Sequence, residues 1–446
     1  MSTITAHITT FNCGRELPSI SHLGAELFSN STPSIPPDLL VLCLQEIAPI
    51  GYAFLGGSFL APYFSRISDI VDHAVSKHFE SNADYHPLLV RNAGLTALMV
   101  YARSDVKDKI QWTETASVGV GVYEMGNKGA VGARIGFTGD NDETVPVTFV
   151  SAHLAPKEEE CQRRNADWQS ICEGLVFTRD DDTTTNNNNT TTPLQNREDA
   201  QPLLSRDASD SNSDSTPTSQ NTLFSPLSHI FFAGDLNYRT SDRAPNPSAH
   251  KIWPHPTSDP SHPSYRDLWA SDQLNRELRN KNTLHLLTEA PVTFPPTYKY
   301  STAAKKSAAE GRPLPPGGSD EEDTWAWAKH RVPSWCDRIL FLEAASAKGS
   351  GGGVQVQSYD ALSVQPTSDH RPVTMVVTIP LKKPVLADGV RPPFSLRKDW
   401  AERRATARRY EVLVGVASYL ALTWEGEAVL AATFVGVLGA YMLLSG

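Results

Sequence analysis

Cysteine is scarce in this chain. Five residues in 446, scattered and odd in number, supply no disulfide framework and point to a reducing compartment. No Cys-x-x-Cys pair occurs, which argues against a thiolate zinc site. A GxSxG turn and a Walker phosphate loop are missing as well, and no cysteine has an arginine six positions on. Those absences disfavour serine or cysteine nucleophilic catalysis. Internal repeats are lacking, and the composition excludes collagen, a coiled coil and whole-chain disorder. A formal net charge of -10 speaks against a general nucleic-acid binder. Met1 to Arg15 holds no basic region followed by an apolar run, so no secretory leader is expected.

What the chain does contain is organised unevenly. Its length allows two to three domains at about 150 residues each, or one large α/β domain with insertions. Short apolar runs at Leu39–Leu44, Leu95–Tyr101, Val147–Val150 and Ile230–Ala233 predict buried strands. Alternation in Ala130–Phe137 predicts another strand, beside a turn at Gly126-Asn127. Helical periodicity appears around Tyr63–Phe79, Glu158–Val176 and Tyr265–Arg279. Strands alternating with helices indicate mixed sheets covered by helices in one α/β domain over 1–380. Two stretches read as disordered insertions in it: 179–222, a Thr/Asn/Ser/Asp tract, and 301–323, rich in Ala, Lys, Gly and Pro.

The C-terminal region differs in character. Leu381–Tyr410 carries nine basic residues against three acidic ones and reads as a basic juxtamembrane linker that attracts anionic lipid. Beyond it, 411–446 reads as a hydrophobic anchor. Ala428–Leu444 is a run of seventeen residues without a charge, at the lower limit of about 17 for a spanning helix. The expectation is a transmembrane helix, with the rest of the chain on the cytosolic side of an intracellular membrane, the endoplasmic reticulum favoured. A helical hairpin using Val412–Thr423 as its first arm is the alternative.

Polar residues that end apolar strands project into whatever cleft the sheet edge forms. In chain order these are Asn12, Glu46, His153, Asp235 with Asn237, Asp337, and the pair Asp369-His370. Oxygen donors from Glu46, Asp369 and Asn12 suit Mg²⁺, which takes few protein ligands. Asp235 is placed to deprotonate a water, with Asn237 fixing its geometry. His370 is placed to hydrogen-bond a phosphate oxygen, its ring held by Asp337. Attack of activated water on phosphorus follows as the expected mechanism.

The motifs LQEI (Leu44–Ile47), GNKGAV (Gly126–Val131), SAHLAP (Ser151–Pro156) and GDLNYR (Gly234–Arg239) occur in order. FPPTYKY (Phe294–Tyr300), RVPSWCDRIL (Arg331–Leu340) and SDHRPV (Ser368–Val373) follow. This set resembles the catalytic domain of the inositol polyphosphate 5-phosphatases, within the endonuclease/exonuclease/phosphatase superfamily. The resemblance runs from about Ile4 to Ile379 and departs at Phe11 and Phe232, where the family has Trp. It implies a four-layer α/β sandwich, two packed mixed sheets flanked by helices. It also implies Mg²⁺ held at Glu46 and Asn12, water handled by Asp235 and Asn237, and a scissile 5-phosphate contacted by His370 and His153. Lys128, Tyr298, Lys299 and Lys329 would grip the rest of the headgroup, the last three at its 4-phosphate, and Asn127 and Arg338 are grouped with them as substrate contacts. The implied activity is Mg²⁺-dependent conversion of phosphatidylinositol 4,5-bisphosphate to phosphatidylinositol 4-phosphate at a membrane, with no nucleic acid and no obligate protein partner. Soluble inositol 1,4,5-trisphosphate is the alternative substrate; a superfamily nuclease and an inactive, membrane-tethered phosphoinositide-binding protein are the alternative functions.

Overall fold

The computed structural model describes residues 2–29, 35–79, 83–179, 221–257, 263–318, 324–342, 353–385 and 391–445. Thirteen strands among them form two sheets. In chain order they are β1 (Thr3–Asn12), β2 (Leu39–Gln45), β3 (Tyr85–Ala93), β4 (Thr96–Arg103), β5 (Ile110–Gly119), β6 (Gly129–Thr138) and β7 (Thr144–His153). There follow β8 (Thr178–Arg179), β9 (His229–Asp235), β10 (Leu287–Glu289), β11 (Asp337–Leu342), β12 (Gln355–Ala361) and β13 (Val373–Pro380). One sheet runs β12-β13-β1-β2-β4-β3 and the other β10-β11-β9-β7-β6-β5-β8. Both are mixed: β1 and β2 are parallel, as are β7 and β9, and the other ladders are antiparallel.

The apolar runs explain the layering, because side chains alternate between the faces of a strand. Leu39, Val41 and Cys43 of β2 meet Val147, Phe149 and Phe231 of the other sheet in the central core. Leu40, Leu42 and Leu44 face outward, where Ile67, Ile70, Val71 and Ala74 of helix α2 (Ala61–His78) cover them; the short helix α1 (Ile50–Leu55) precedes it. On the far side, Val150, Ala152, Ile230 and Phe232 are covered by Trp168 and Ile171 of α3 (Cys161–Gly174). Strands buried on both faces read as continuous apolar runs, which is why the sequence shows them. Phe232 meets Trp168 edge-on at 5.2 Å between ring centroids, so the residue that departs from the resemblance still fills its layer.

Parallel pairing sets where the site lies. Asn12 pairs with Gln45 and His153 with Asp235, so the C-terminal ends of β1, β2, β7 and β9 come out on one edge. The antiparallel strands β11 and β13 begin there, with Asp337 opposite Asp235 and Val373 opposite Thr10.

Three expectations are corrected. The periodic stretch Tyr265–Arg279 is two helices, α4 (Pro263–Ala270) and α5 (Gln273–Arg279). Asp272 interrupts it by accepting a hydrogen bond from Asn275 N at 2.9 Å as the α5 N-cap. The expected loop 301–323 begins instead with helix α6 (Thr302–Ala309), capped by Ser301, with Ala304 in a small core beside Tyr300 and Trp327. The linker and anchor do not divide at Tyr410. Helix α7 (Trp400–Leu422) runs through that boundary and packs on α1, and α8 (Trp424–Ser445) follows after Thr423. Residues 180–220 of the first insertion and 319–323 of the second lie outside the described residues.

Within the first sheet, His7 of β1 is buried with its ring edge-on to Phe28 at 4.9 Å, and its Nε2 has no hydrogen-bond partner among the described residues. Burial lowers its pKa to about 4. The unfolded chain takes up this proton near pH 6.5 and the folded chain only near 4, so stability falls as pH drops through that window. The expected loss is roughly 3 kcal/mol from this residue. Urea unfolding at pH 7.5 and 4.5 checks it, and the difference should shrink by that amount in His7→Leu.

Candidate active site

Each polar side chain at the shared strand edge has an identifiable holder. Asp235, buried at the end of β9, accepts a hydrogen bond from Asn12 Nδ2 at 2.9 Å through Oδ2. The same oxygen lies 3.2 Å from His153 Nε2 and 3.9 Å from His370 Nε2. On the other side of the His370 ring, Nδ1 is 2.9 Å from Asp337 Oδ2. Thr297 Oγ1 donates to that Asp337 oxygen at 2.6 Å. Ser368 closes the loop: its hydroxyl donates to Asn12 O at 2.6 Å and accepts from His370 N at 3.0 Å. Asn237 has a left-handed backbone, φ 57°, and its Nδ2 donates to Leu154 O at 3.1 Å. Arg239 donates to its Oδ1.

The electrostatics divide the array sharply. Burial alone would push the Asp235 carboxyl up, but His370, the hydrogen bond from His153 and Lys128 outweigh it and hold Asp235 well below the usual carboxylate range. For His370, burial works against protonation, yet Asp337 and Asp235 on its two sides raise its pKa to about 9. Asp337 itself is raised by burial despite His370. His153 is lowered by burial and by Lys128. At neutral pH the site therefore holds an anionic Asp235 between a neutral His153 and a cationic His370. Such separated protonation states are what acid–base work on one substrate needs. Asp235, Asp337 and His370 also place ligand atoms within 4.8 Å of one another. Asp235 Oδ1 and Asp337 Oδ1 are buried and have no hydrogen-bond partner among the described residues.

Glu46 follows β2 with φ 47° and lies 3.0 Å from Arg15 Nε and 3.8 Å from Lys128 Nζ. Burial raises its pKa, but His153, Lys128 and Arg15 outweigh that and leave it lowered. Lys128 also contacts the His153 ring, so the GNKG turn reaches the Asp235 array. Asn127, in the same turn, packs its amide against Gly121. The Tyr298 ring is tilted against His370 at 4.5 Å between centroids, and the Arg239 guanidinium lies over the Tyr298 ring at 4.4 Å. Lys299 pairs with Asp369 at 2.5 Å, so Asp369 faces the lysine. Lys329 follows Ala328, whose N–H donates to Lys299 O at 2.9 Å; the intervening insertion thus leaves the two lysine-bearing segments side by side.

Arg338 is the one expected substrate contact that the structure turns away. It is fully buried under Trp269 and bonded to Glu289 and Asp272. Successive strand residues face opposite sides, so Asp337 and Arg338 cannot both face the site. Arg338→Met leaves two buried carboxylates without their cation and is expected to destabilise the domain by about 3–5 kcal/mol. A denaturant melt checks the size of this loss. Thr297, Ser368, Arg239 and Arg15 were not singled out by sequence reasoning. The first three lie inside recognised motifs; Arg15 carries no such signal.

Residues 9–376 match the family described as Endonuclease/Exonuclease/phosphatase family 2. The chain belongs to this family. Among its relatives within the endonuclease/exonuclease/phosphatase family is the type II inositol 1,4,5-trisphosphate 5-phosphatase of Mus musculus, 28% identical over 308 residues, 69% of this chain and 24% of that one. Phosphatidylinositol 3,4,5-trisphosphate 5-phosphatase 1 of Xenopus laevis is 26% identical over 294 residues, 66% of this chain and 23% of that one. The matched region thus makes up about a quarter of these relatives' length. The inositol polyphosphate 5-phosphatase domain of SPsynaptojanin, solved with inositol (1,4)-bisphosphate and a calcium ion, shares the fold. Its TM-score is 0.56 at 21% identity, over 92% of this chain and 90% of that one. The two-sheet α/β sandwich is therefore the endonuclease/exonuclease/phosphatase fold.

Proposed function

We propose that this chain is a phosphoinositide 5-phosphatase, a phosphoric monoester hydrolase acting on phosphatidylinositol 4,5-bisphosphate in the membrane that holds it. The observation that carries the reading is the placement of the Tyr298-Lys299 pair against His370. In this reading Lys299 supplies a cation for a second phosphate beside an acid–base array that attacks a first. Charged donors on a non-scissile phosphate select a polyphosphorylated ring, and neither a nuclease nor an inactive binding protein needs both features. Two of the relatives are named for inositol phosphate and phosphoinositide 5-phosphatase activity, which supports the same class.

In this reading Asp235, anionic and buried, takes a proton from water as the water oxygen bonds to the 5-phosphorus, and Asn237 orients that water. The bond from phosphorus to the inositol oxygen breaks, and the ring leaves with a proton supplied through solvent. His370 donates to the non-bridging oxygens, where negative charge grows in the transition state, and Asp337 holds its ring. His153 and Lys128 bind the same phosphate. The donor set fits a hard divalent cation, since Asp235 Oδ1 is buried without a partner and Glu46 and Asn12 stand next to it in the fold. Glu46 and Asn12 would hold Mg²⁺, which when bound supplies positive charge to the phosphate oxygens.

Residues Trp424–Leu444 of α8 are long and apolar enough to cross a membrane, with mean hydropathy 1.9, and residues 427–444 are exposed throughout. Anchoring favours a bilayer substrate through high effective concentration. The test is phosphate release by the full chain in nanodiscs with Mg²⁺, on phosphatidylinositol 4,5-bisphosphate and on free inositol 1,4,5-trisphosphate. The expected result is release from the lipid that stops in chelator and returns with Mg²⁺. Release from the free headgroup alone would replace the lipid by a soluble substrate. No release from either would refute the enzyme.

A further inference from the structure

Helix α7 was expected to be part linker and part anchor, yet it is built into the catalytic domain. Two glycines let it close on α1: a Cβ at Gly51 would lie 2.9 Å from Tyr419 N, and one at Gly415 would lie 3.0 Å from Phe54 Cβ. Arg408 donates to Phe54 O at 2.6 Å and Leu55 O at 3.3 Å, satisfying the last carbonyls of α1. Beside it, Glu411 is held by Arg408 at 3.1 Å. Its other oxygen accepts from Gly126 N at 2.7 Å.

That one bond reaches the active site along a continuous path. Gly126 O accepts from Leu95 N at 2.9 Å, and Leu95 O accepts from Ile47 N at 3.3 Å, next to Glu46. In the other direction Gly126 is two residues from Lys128, which touches His153 and Glu46. The turn has no room to settle elsewhere, since a Cβ on Gly126 would lie 2.7 Å from the Ala93 carbonyl carbon. On its outer side, Glu124 is clamped by Arg397 and Arg403, and Tyr123 stacks on Tyr410 at 5.2 Å. The segment that precedes α8 therefore holds the N-terminal side of the Gly126–Lys128 turn at Tyr123, Glu124 and Gly126.

We propose that Glu411 is a positioning residue of the active site, acting through the Gly126 amide on Lys128 and Glu46, so that the membrane-proximal helix is part of the catalytic unit. This rests on the phosphatase reading for its effect on turnover, though not for its effect on the turn. Three variants of the full chain in nanodiscs test it: Glu411→Ala, Glu411→Gln and Gly415→Leu. The readouts are kcat and KM on phosphatidylinositol 4,5-bisphosphate and on free inositol 1,4,5-trisphosphate, and amide hydrogen exchange over residues 120–129.

Loss of a hydrogen bond to a charged acceptor is expected to lower kcat/KM about tenfold in Glu411→Ala, on both substrates alike. Gln keeps an acceptor oxygen and should restore most of the activity. Gly415→Leu should reproduce the Ala phenotype by forcing α7 off α1. Exchange at Gly126 should rise in Ala and Gly415→Leu and stay protected in Gln. Loss confined to the lipid substrate would overturn the proposal, because α7 would then only orient the domain on the bilayer. Unchanged exchange in Glu411→Ala overturns it whether or not the chain is a phosphatase. Inactive wild type with the expected exchange changes would refute the phosphatase reading alone and uphold the hold on the turn.

Discussion

Asp235→Asn is expected to lower turnover at least about 10³-fold, the upper part of the range for a general base. The substitution keeps the shape of the side chain and one acceptor oxygen for Asn12 Nδ2. It removes the negative charge that His153, His370 and Lys128 surround. Those groups hold the carboxylate far below its ordinary pKa, so in the proposed mechanism proton capture would depend on the developing positive charge of the attacking water, not on a basic Asp235. The amide cannot take that proton at all. Phosphate release measured with the full chain checks this, and turnover within tenfold of wild type would move the base elsewhere. KM should change little by comparison, because the phosphate-binding cations are still in place.

A second large effect concerns the His370–Asp337 pair. His370→Ala removes the cation that lies between two carboxylates and is expected to cost about 10³-fold in kcat. Asp337→Asn should cost less, about 10²-fold, since Thr297 still donates a hydrogen bond at that position and the ring is only loosened. In the proposed mechanism Asp337 acts through His370, so the double variant is expected to be no worse than His370→Ala alone. A double-mutant cycle on kcat checks this. Fully additive losses would mean that Asp337 has a role of its own, such as binding a metal through its unpartnered Oδ1.

Most of the candidate site was legible because of how buried parallel strands look in sequence. Leu39–Leu44 and Ile230–Ala233 have no alternation to disguise them, so the first polar residues after them stand out as edge positions. β-register gathers His153, Asp235 and Asp337 in one sheet, and the packing of the other sheet against it brings in Asn12 and His370. Arg338 turns away from the array for the same reason that Asp337 faces it: adjacent strand residues point to opposite faces, and a motif printed as one string does not show the alternation. Tyr265–Arg279 failed because helical periodicity survives a two-residue break, and only the cap at Asp272 reveals it.

Hydrophobic patterning determined the α/β class and the identity of the strand-edge residues, because burial on both faces and local polarity are written in short stretches of chain; the two-sheet layering was implied by the family resemblance of the ordered motifs. The partnerships across those edges were decided only by tertiary structure. The approach of Asp235 to two histidines, the turning of Asp369 toward Lys299, and the sinking of Arg338 into an internal ion cluster each join segments more than 30 residues apart. The same holds most strongly for α7. Its sequence reads as part basic juxtamembrane linker and part hydrophobic anchor, and the close packing at Gly51 and Gly415 across the two helices sets Arg408 and Glu411 against protein instead. A basic residue carries no mark of whether a phosphate or a carbonyl will be nearest, since that is set by which surfaces meet.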